Sequence, residues 1–390
     1  MQQYYDLKKQ YSDAILFFRM WDFYEMFEED AKIAHKILWI ALTSRNKNAE
    51  HPVLLAGIPY HAKEKYLPLF IYAGYKVAIA EQVSDPKLKW IVQREVVRVV
   101  TPGTLSLEEE AYEQNEQSAI IASLISEQDQ YGISILNLSD HSWKCSEFEN
   151  FDSCAWELYK ISPSEIILEK HFLGDEKIQE ILTKKYGLNI YYYHFDVDAY
   201  DFLKARFWVK NLEWYGIESK KLAQKASAAL LKYISENQKS DLSFIKNLSY
   251  ESFSWYMDLD ESTIRSLDLI YNISLKSKTE GTLFAALNET KTPMGKRLLR
   301  EEILHPLQDI SEIQKRQKFI HACKSNTIIL EKIRTELNYI SDTDAILSRL
   351  SLWRAGPKDL LSLKRTLQAV KEVIWIIENS NDVQLKKILL

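Results

Sequence analysis

The sequence predicts a multidomain protein, α/β over roughly its first 240 residues and all-α beyond them. Three observations carry that expectation. At about 150 residues per domain, a chain of 390 residues holds two or three domains. Apolar residues make up 46% and charged residues 27%, ample for real cores and too apolar for wholesale disorder. Hydrophobic spacing also changes along the chain: strand-like and helical runs alternate at first, and helical spacing prevails from about residue 255.

In the first 107 residues, Asp13 precedes the apolar run Ala14 to Phe18, and Phe27, Ala31, Ala34 and Leu38 follow at helical spacing: strand, turn, helix. Val53 to Ala56 runs into Gly57-Ile58-Pro59, Lys63 to Ala73 is helical and closed by Gly74, and Lys76 to Ala80 is a short buried strand. Val96 to Val100 is a further strand, stopped by Thr101-Pro102-Gly103-Thr104, and the acidic stretch Glu108 to Glu116 reads as a linker. Residues 108–240 carry strands at Ala119 to Ile125, Gly132 to Leu138, Glu165 to Leu168 and Leu188 to Tyr193, with helices such as Cys154 to Ile161 between them. That is a small α/β domain around a central sheet. Residues 241–390 are nearly all helical in pattern, with amphipathic runs at Thr263 to Leu275, Asp309 to His321 and Pro357 to Ile377.

Composition narrows the function classes. With 50 Lys+Arg against 55 Asp+Glu the net charge is −5, neither a basic arm nor an acidic tail. No stretch reaches the roughly 18 apolar residues of a membrane helix, and the N-terminus lacks an apolar signal core, so a cytoplasmic chain without membrane contact is expected. Cys145, Cys154 and Cys323 lack the spacing of a disulfide framework or a zinc site. Walker, dinucleotide-binding, H-E-x-x-H and G-x-S-x-G motifs are absent from the sequence. Asp196, Asp198 and Asp201 cluster in one loop-like stretch, which reads as a solvated face because metal catalysis needs carboxylates converging from separate elements. No catalytic residue, metal or cofactor is therefore expected in this chain. Glycine and tryptophan occur 10 times each, although average usage predicts roughly 27 glycines.

One motif rises above this background. The run Phe17-Phe18-Arg19-Met20-Trp21-Asp22-Phe23-Tyr24-Glu25-Met26-Phe27 sets aromatics beside a turn, with Arg19, Arg45, Lys47, Arg94 and Arg98 close in sequence or in the same segment. An exposed ring can stack on any base and a cation can hold a phosphate. On pattern alone the competing reading is core filling, and segment charge does not overturn it: residues 1–105 hold 14 Lys+Arg and 12 Asp+Glu, a balance of +2.

Five linked motifs then carry a resemblance. Phe23-Tyr24-Glu25, Leu42-Thr43-Ser44-Arg45, Ala56-Gly57-Ile58-Pro59-Tyr60-His61, Glu81-Gln82 and Arg94 to Thr104 closely resemble the bacterial MutS family of DNA mismatch-recognition proteins. The likeness continues at Ile161 to Glu165, Met257 to Thr263, Gly281-Thr282-Leu283, Thr292 to Leu299 and Ala355 to Leu360, so it covers essentially the whole chain. It implies a mismatch-recognition domain at 1–107, an RNase H-like connector at 108–240 and the start of a helical core and lever domain at 241–390. It further implies that Phe23 wedges beside a mispaired base from the minor groove, that Glu25 hydrogen-bonds the base, and that Arg45 and Arg98 contact phosphates. An aromatic wedge unstacks a weak mispair at less cost than a matched pair and kinks the duplex. A carboxylate facing DNA trades affinity for discrimination. The implied partners are duplex DNA with mispairs or small loops, MutL and a second copy of the family protein. ATP and magnesium are implied only for the family's C-terminal ATPase domain, which lies beyond Leu390. The alternatives from the residues themselves are a connector-derived interaction scaffold and a metal-dependent nuclease using Asp196 and Asp198.

The resemblance also exposes a departure. The family carries glycine where this chain has Trp21, Trp90, Trp208, Trp214 and Trp353, and Trp39, Trp143 and Trp255 group with them. Glycine serves where φ is positive or backbones approach closely, and tryptophan cannot replace it there. A gene that reads UGA as glycine, written out with UGA as tryptophan, accounts for the glycine deficit and the tryptophan excess together.

Overall fold

The computed structural model describes the chain apart from residues 46–51, 84–91, 106–119, 139, 197, 239–241, 243–244, 246, 254–255, 273, 276, 278–279, 352–354, 381 and 387–390. The linker expected at Glu108 to Glu116, together with Lys47, Trp90, Trp255 and Trp353, lies outside the described residues. Two units emerge: Met1–Cys154 with Ile161–Tyr250, and Ala155–Lys160 with Glu251–Leu390.

The first unit contains two six-stranded sheets. The first sheet is built from α1 (Gln2–Gln10), β1 (Ala14–Met20), β2 (Phe23–Phe27), α2 (Glu28–Leu38), β3 (Thr43–Arg45), β4 (Val53–Pro59), α3 (Lys63–Tyr72), β5 (Lys76–Gln82) and β6 (Arg94–Val100). Its order is β3-β4-β2-β1-β5-β6, antiparallel except where β1 runs beside β5. β1 reads as an unbroken apolar run because both of its faces are covered. Ile15 and Phe17 join Ala31, Ala34, Leu67 and Phe70 of α2 and α3 on one side, while Leu16 and Phe18 join Tyr4, Val96 and Val99 on the other. The sequence pattern gave no sign of α1, which is polar along its length and anchored by Tyr4, its one buried residue. The Tyr4 hydroxyl donates to the Phe27 carbonyl at 3.2 Å and to Asp30 at 3.1 Å.

The second sheet follows with β7 (Ile120–Glu127), β8 (Gln130–Asn137), β9 (Trp143–Phe148), α4 (Phe151–Ile161), β10 (Glu165–Glu169), α5 (Glu176–Glu180), β11 (Ile190–Tyr193), α6 (Ala199–Phe207), α7 (Lys221–Gln238) and β12 (Leu248–Tyr250). Its order is β11-β10-β7-β8-β9-β12; β7, β8 and β9 are antiparallel, and β10 and β11 run parallel to β7. Helix α7 packs on β7, β8 and β9 and is buried around most of its circumference, from Leu222 to Ile234.

The second unit is helical, with α8 (Glu261–Ser266), α9 (Leu283–Leu287), α10 (Pro293–Leu304), α11 (Ile310–Ser325), α12 (Thr327–Leu337), α13 (Thr343–Ser351), α14 (Pro357–Glu378) and α15 (Val383–Lys386). Asp260, Thr282, Thr292 and Asp309 each accept a backbone N–H at a helix start. The runs expected at Asp309 to His321 and Pro357 to Ile377 are helices, but the run expected at Thr263 to Leu275 is not one continuous helix. Asp268 adopts a left-handed φ of 48° after α8, and the chain turns Leu269 and Ile270 into a cluster with Leu259, Ile264, Phe284 and Leu304. Among the described residues, no helix is long and apolar enough to cross a membrane.

Candidate nucleic-acid interface

Strand β2 alternates, and that alternation builds the site. Tyr24 and Met26 are buried in the core under α2 and α3, so Phe23 and Glu25 share the opposite face. Phe23 opens the strand and is 48% exposed, although a phenylalanine in a strand normally finds cover. It pairs with Met20 across the two-residue turn Trp21-Asp22 and with Pro59 on the other side. The Asp22 carbonyl accepts the Tyr60 N–H at 2.9 Å, tying the turn to the end of β4.

Gly57 stands opposite Glu25 in β4. A Cβ there would lie 3.8 Å from the Glu25 Cγ and 4.0 Å from the Phe23 ring, so glycine keeps the surface beside both side chains open. One carboxylate oxygen of Glu25 is buried and has no hydrogen-bond partner among the described residues. Burial raises the Glu25 carboxyl above its ordinary range, and the positive charges of Arg45 and Arg94 act against that rise. A desolvated carboxyl with an open oxygen is chemically ready to exchange a hydrogen bond with an incoming polar group.

Arg94 and Arg45 bear on Glu25, whereas Arg19, the cross-strand partner of Tyr24, lies with Tyr60 on the opposite face. Arg19 donates from Nε to the Trp21 carbonyl at 2.5 Å, and its guanidinium lies 3.8 Å from the centre of the Tyr60 ring. Arg94 donates from Nε to the Arg19 carbonyl at 2.6 Å and lies over Phe18 at 5.1 Å. On the Arg19 face the Tyr24 hydroxyl donates to Glu81, and burial with that contact pushes the phenol above its ordinary range. Arg45 is exposed at the end of β3.

Of the four residues singled out from the sequence, Phe23, Glu25 and Arg45 thus lie in the β2-β4-β3 part of one sheet. Arg98 does not share their exposure. It is 6% exposed, and its Nη2 donates to the Thr104 carbonyl at 2.7 Å, so in this structure it is buried against the end of its own segment and not open to a phosphate. Tyr60, 43% exposed and stacked on Arg19, was quoted within a motif but not singled out. Its exposure depends on the short 3-10 turn that starts after Pro59, which residue spacing does not reveal.

The acidic cluster has a local explanation. Asp198 caps α6 by accepting the Asp201 N–H at 3.0 Å, and Asp201 pairs with Lys204 at 3.1 Å. Among the described residues no group of three His, Cys, Asp or Glu side chains is arranged to hold a metal ion.

The architecture is that of a modular α/β and helical protein with an aromatic surface at the turn of its first sheet. Family models agree along the chain: MutS domain I matches residues 1–109, MutS domain II residues 119–246 and MutS domain III residues 262–388. DNA mismatch repair protein MutS of Lachnoclostridium phytofermentans is 36% identical over 393 residues, covering 100% of this chain and 42% of the relative. The proteins of the same name from Streptococcus gordonii and Methanococcoides burtonii are 35% and 36% identical, covering 100% and 96% of this chain and 44% and 43% of their own lengths. The chain belongs to the MutS family. It spans less than half the length of these relatives.

Proposed function

We propose that this chain binds mispaired or unpaired bases in duplex DNA and serves DNA mismatch repair, with Phe23 as a wedge beside the faulty base and Glu25 as its hydrogen-bond partner. The observation that carries the reading is the pairing of a half-exposed phenylalanine with a carboxylate that has one unpartnered buried oxygen, side by side on one strand face. A mispair stacks poorly, so a ring inserted beside it displaces less stacking than at a matched step, and the bent duplex gains backbone contacts. Arg45 is the exposed cation for those contacts.

On the same reading, the β7-β12 sheet is an RNase H-like connector, a description supported by its antiparallel β7, β8 and β9 with β10 and β11 parallel to β7 and β12 parallel to β9. MutL and a second copy of the protein are its proposed partners, in the cytoplasm, and ATP and magnesium belong to the part of the relatives' length outside this span. The nuclease alternative on Asp196 and Asp198 loses support because Asp198 is engaged in capping α6.

Binding of matched and mispaired duplexes, followed by fluorescence anisotropy across a salt series, tests the proposal. Phe23→Ala is expected to remove mismatch preference by about 1 to 3 kcal/mol, the worth of one stacked base. Arg45→Ala is expected to weaken both duplexes alike and to reduce the salt slope by about one. Full preference in Phe23→Ala refutes the wedge.

A further inference from the structure

The Thr101-Pro102-Gly103-Thr104 turn closes the first sheet, yet its side chains are spent on the second. The Thr101 N–H donates to the Thr104 hydroxyl at 2.8 Å, and the Thr101 hydroxyl donates to Glu165 at 3.0 Å, a residue 64 positions away at the start of β10. Thr101, Thr104 and Glu165 are buried, Glu165 completely. Gly103 fits against the second sheet so closely that a Cβ would meet Ile121 at 2.4 Å and the Glu165 side chain at 2.9 Å. Leu105, just beyond the turn, returns to the core of the first sheet, and Arg98 holds the Thr104 carbonyl from behind. A second contact lies nearby: the Lys76 ammonium of β5, paired with Asp13 at 2.9 Å, sits 4.3 Å over the Tyr191 ring of β11.

This is more than ordinary packing. A fully buried carboxyl is costly unless something repays its desolvation. Glu165 is faced by the Thr101 hydroxyl and the Gly103 N–H from the turn, by Lys76 of β5 and by Tyr233 of α7, while Tyr191 of β11 lies within its electrostatic reach. Burial nonetheless pushes its carboxyl up to about 7. Among the described residues this carboxyl takes its hydrogen bond from Thr101, in the turn that ends the wedge-bearing sheet, while its other oxygen is buried without a partner.

We propose that Gly103 and Glu165 are positioning residues, a plug and socket that seat the wedge-bearing first sheet on the second sheet in one fixed orientation. The joint itself is read from geometry; its consequence for DNA binding rests on the wedge reading above. A wedge discriminates between paired and mispaired steps only if its scaffold resists being pushed back, and a loosened scaffold lets the ring skate over either duplex.

The test places spin labels on Lys36→Cys of α2 and Lys177→Cys of α5, both exposed positions, in a Cys323→Ser background that leaves only the buried Cys145 and Cys154. Pulsed electron resonance then reads the distance between the sheets, and anisotropy reads the ratio of mispaired to matched affinity. The parent protein should give one narrow distance. Gly103→Ala and Thr101→Val should each broaden it at least twofold and lower the affinity ratio roughly tenfold, and Thr101→Ser should restore both. Phe23→Ala should lower the ratio and leave the distance narrow. Where Gly103→Ala does not fold, Thr101→Val and Thr101→Ser decide. A narrow distance in the joint variants overturns the proposal, as does a broadened distance with an unchanged ratio when Phe23→Ala loses its preference. If Phe23→Ala keeps its preference, the wedge reading falls while the distance still judges the joint.

Discussion

Trp21, Trp39 and Trp208 have φ values of 55°, 55° and 58°, and they are 80%, 90% and 94% exposed. Trp39 and Trp208 are the left-handed caps of α2 and α6, the position glycine favours at a helix end, and Trp21 is the first residue of a two-residue hairpin loop. A left-handed residue with a side chain costs roughly 1 to 2 kcal/mol, and an indole in water adds nothing to offset it. This geometry supports the UGA explanation independently of any resemblance. Trp214, 92% exposed, fits the same pattern of uncovered indoles. Trp143 does not: it is 1% exposed, its Nε1 donates to Ser134 at 2.8 Å, and nothing in its backbone calls for glycine. Peptide mass spectrometry of the protein from its native cells is expected to give glycine at 21, 39 and 208; indole mass at those positions refutes the recoding. In the chain as written, Trp21→Gly and Trp208→Gly are each expected to raise stability by about 1 kcal/mol in denaturant unfolding. Phe23, Glu25 and Arg45 could be singled out from the sequence because they sit inside short linked motifs, and the structure places them in one part of one sheet. Sequence reading misjudged Arg98, because alternation in β6 breaks at Arg98-Val99-Val100, three successive buried residues.

At the scale of the element, the strands and helices with strong periodicity were legible, and those whose burial comes from elsewhere were not. α7 carries Ala, Ser and Gln on faces that are all buried, so it shows little contrast between a wet and a dry side. β9 alternates poorly because Trp143, Cys145 and Ser146 are all buried, with β12 added at its edge. α10 entered only as a stretch of family likeness, Thr292 to Leu299; the structure shows that Thr292 caps it and Pro293 fills its first turn. Glu165 gives this scale its prediction. Its folded carboxyl, at about 7, lies above the ordinary 4.5, so the folded state holds the proton more tightly than the unfolded chain. The stability this contributes is complete below pH 4.5 and is lost as pH rises through about 7. Thermal unfolding between pH 5 and 8 should therefore show falling stability that is flattened in Glu165→Gln. An identical slope in the variant would mean that Glu165 is not the titrating group.

For the whole molecule, the change from α/β to all-α was visible in the spacing of apolar residues, because each sheet strand and each bundle helix must bury its own stripe. Joining the two sheets was not visible, since Thr101 and Glu165 read separately as a turn residue and a strand start. The proposed function is that the first sheet inserts Phe23 into a faulty duplex and bends it. The most direct test uses a short duplex labelled at both ends for energy transfer, with and without a single mispair, titrated with the protein and with Phe23→Ala. The account predicts that the protein shortens the end-to-end distance of the mispaired duplex and not of the matched one, and that Phe23→Ala shortens neither. Equal bending by the protein and by Phe23→Ala would contradict it.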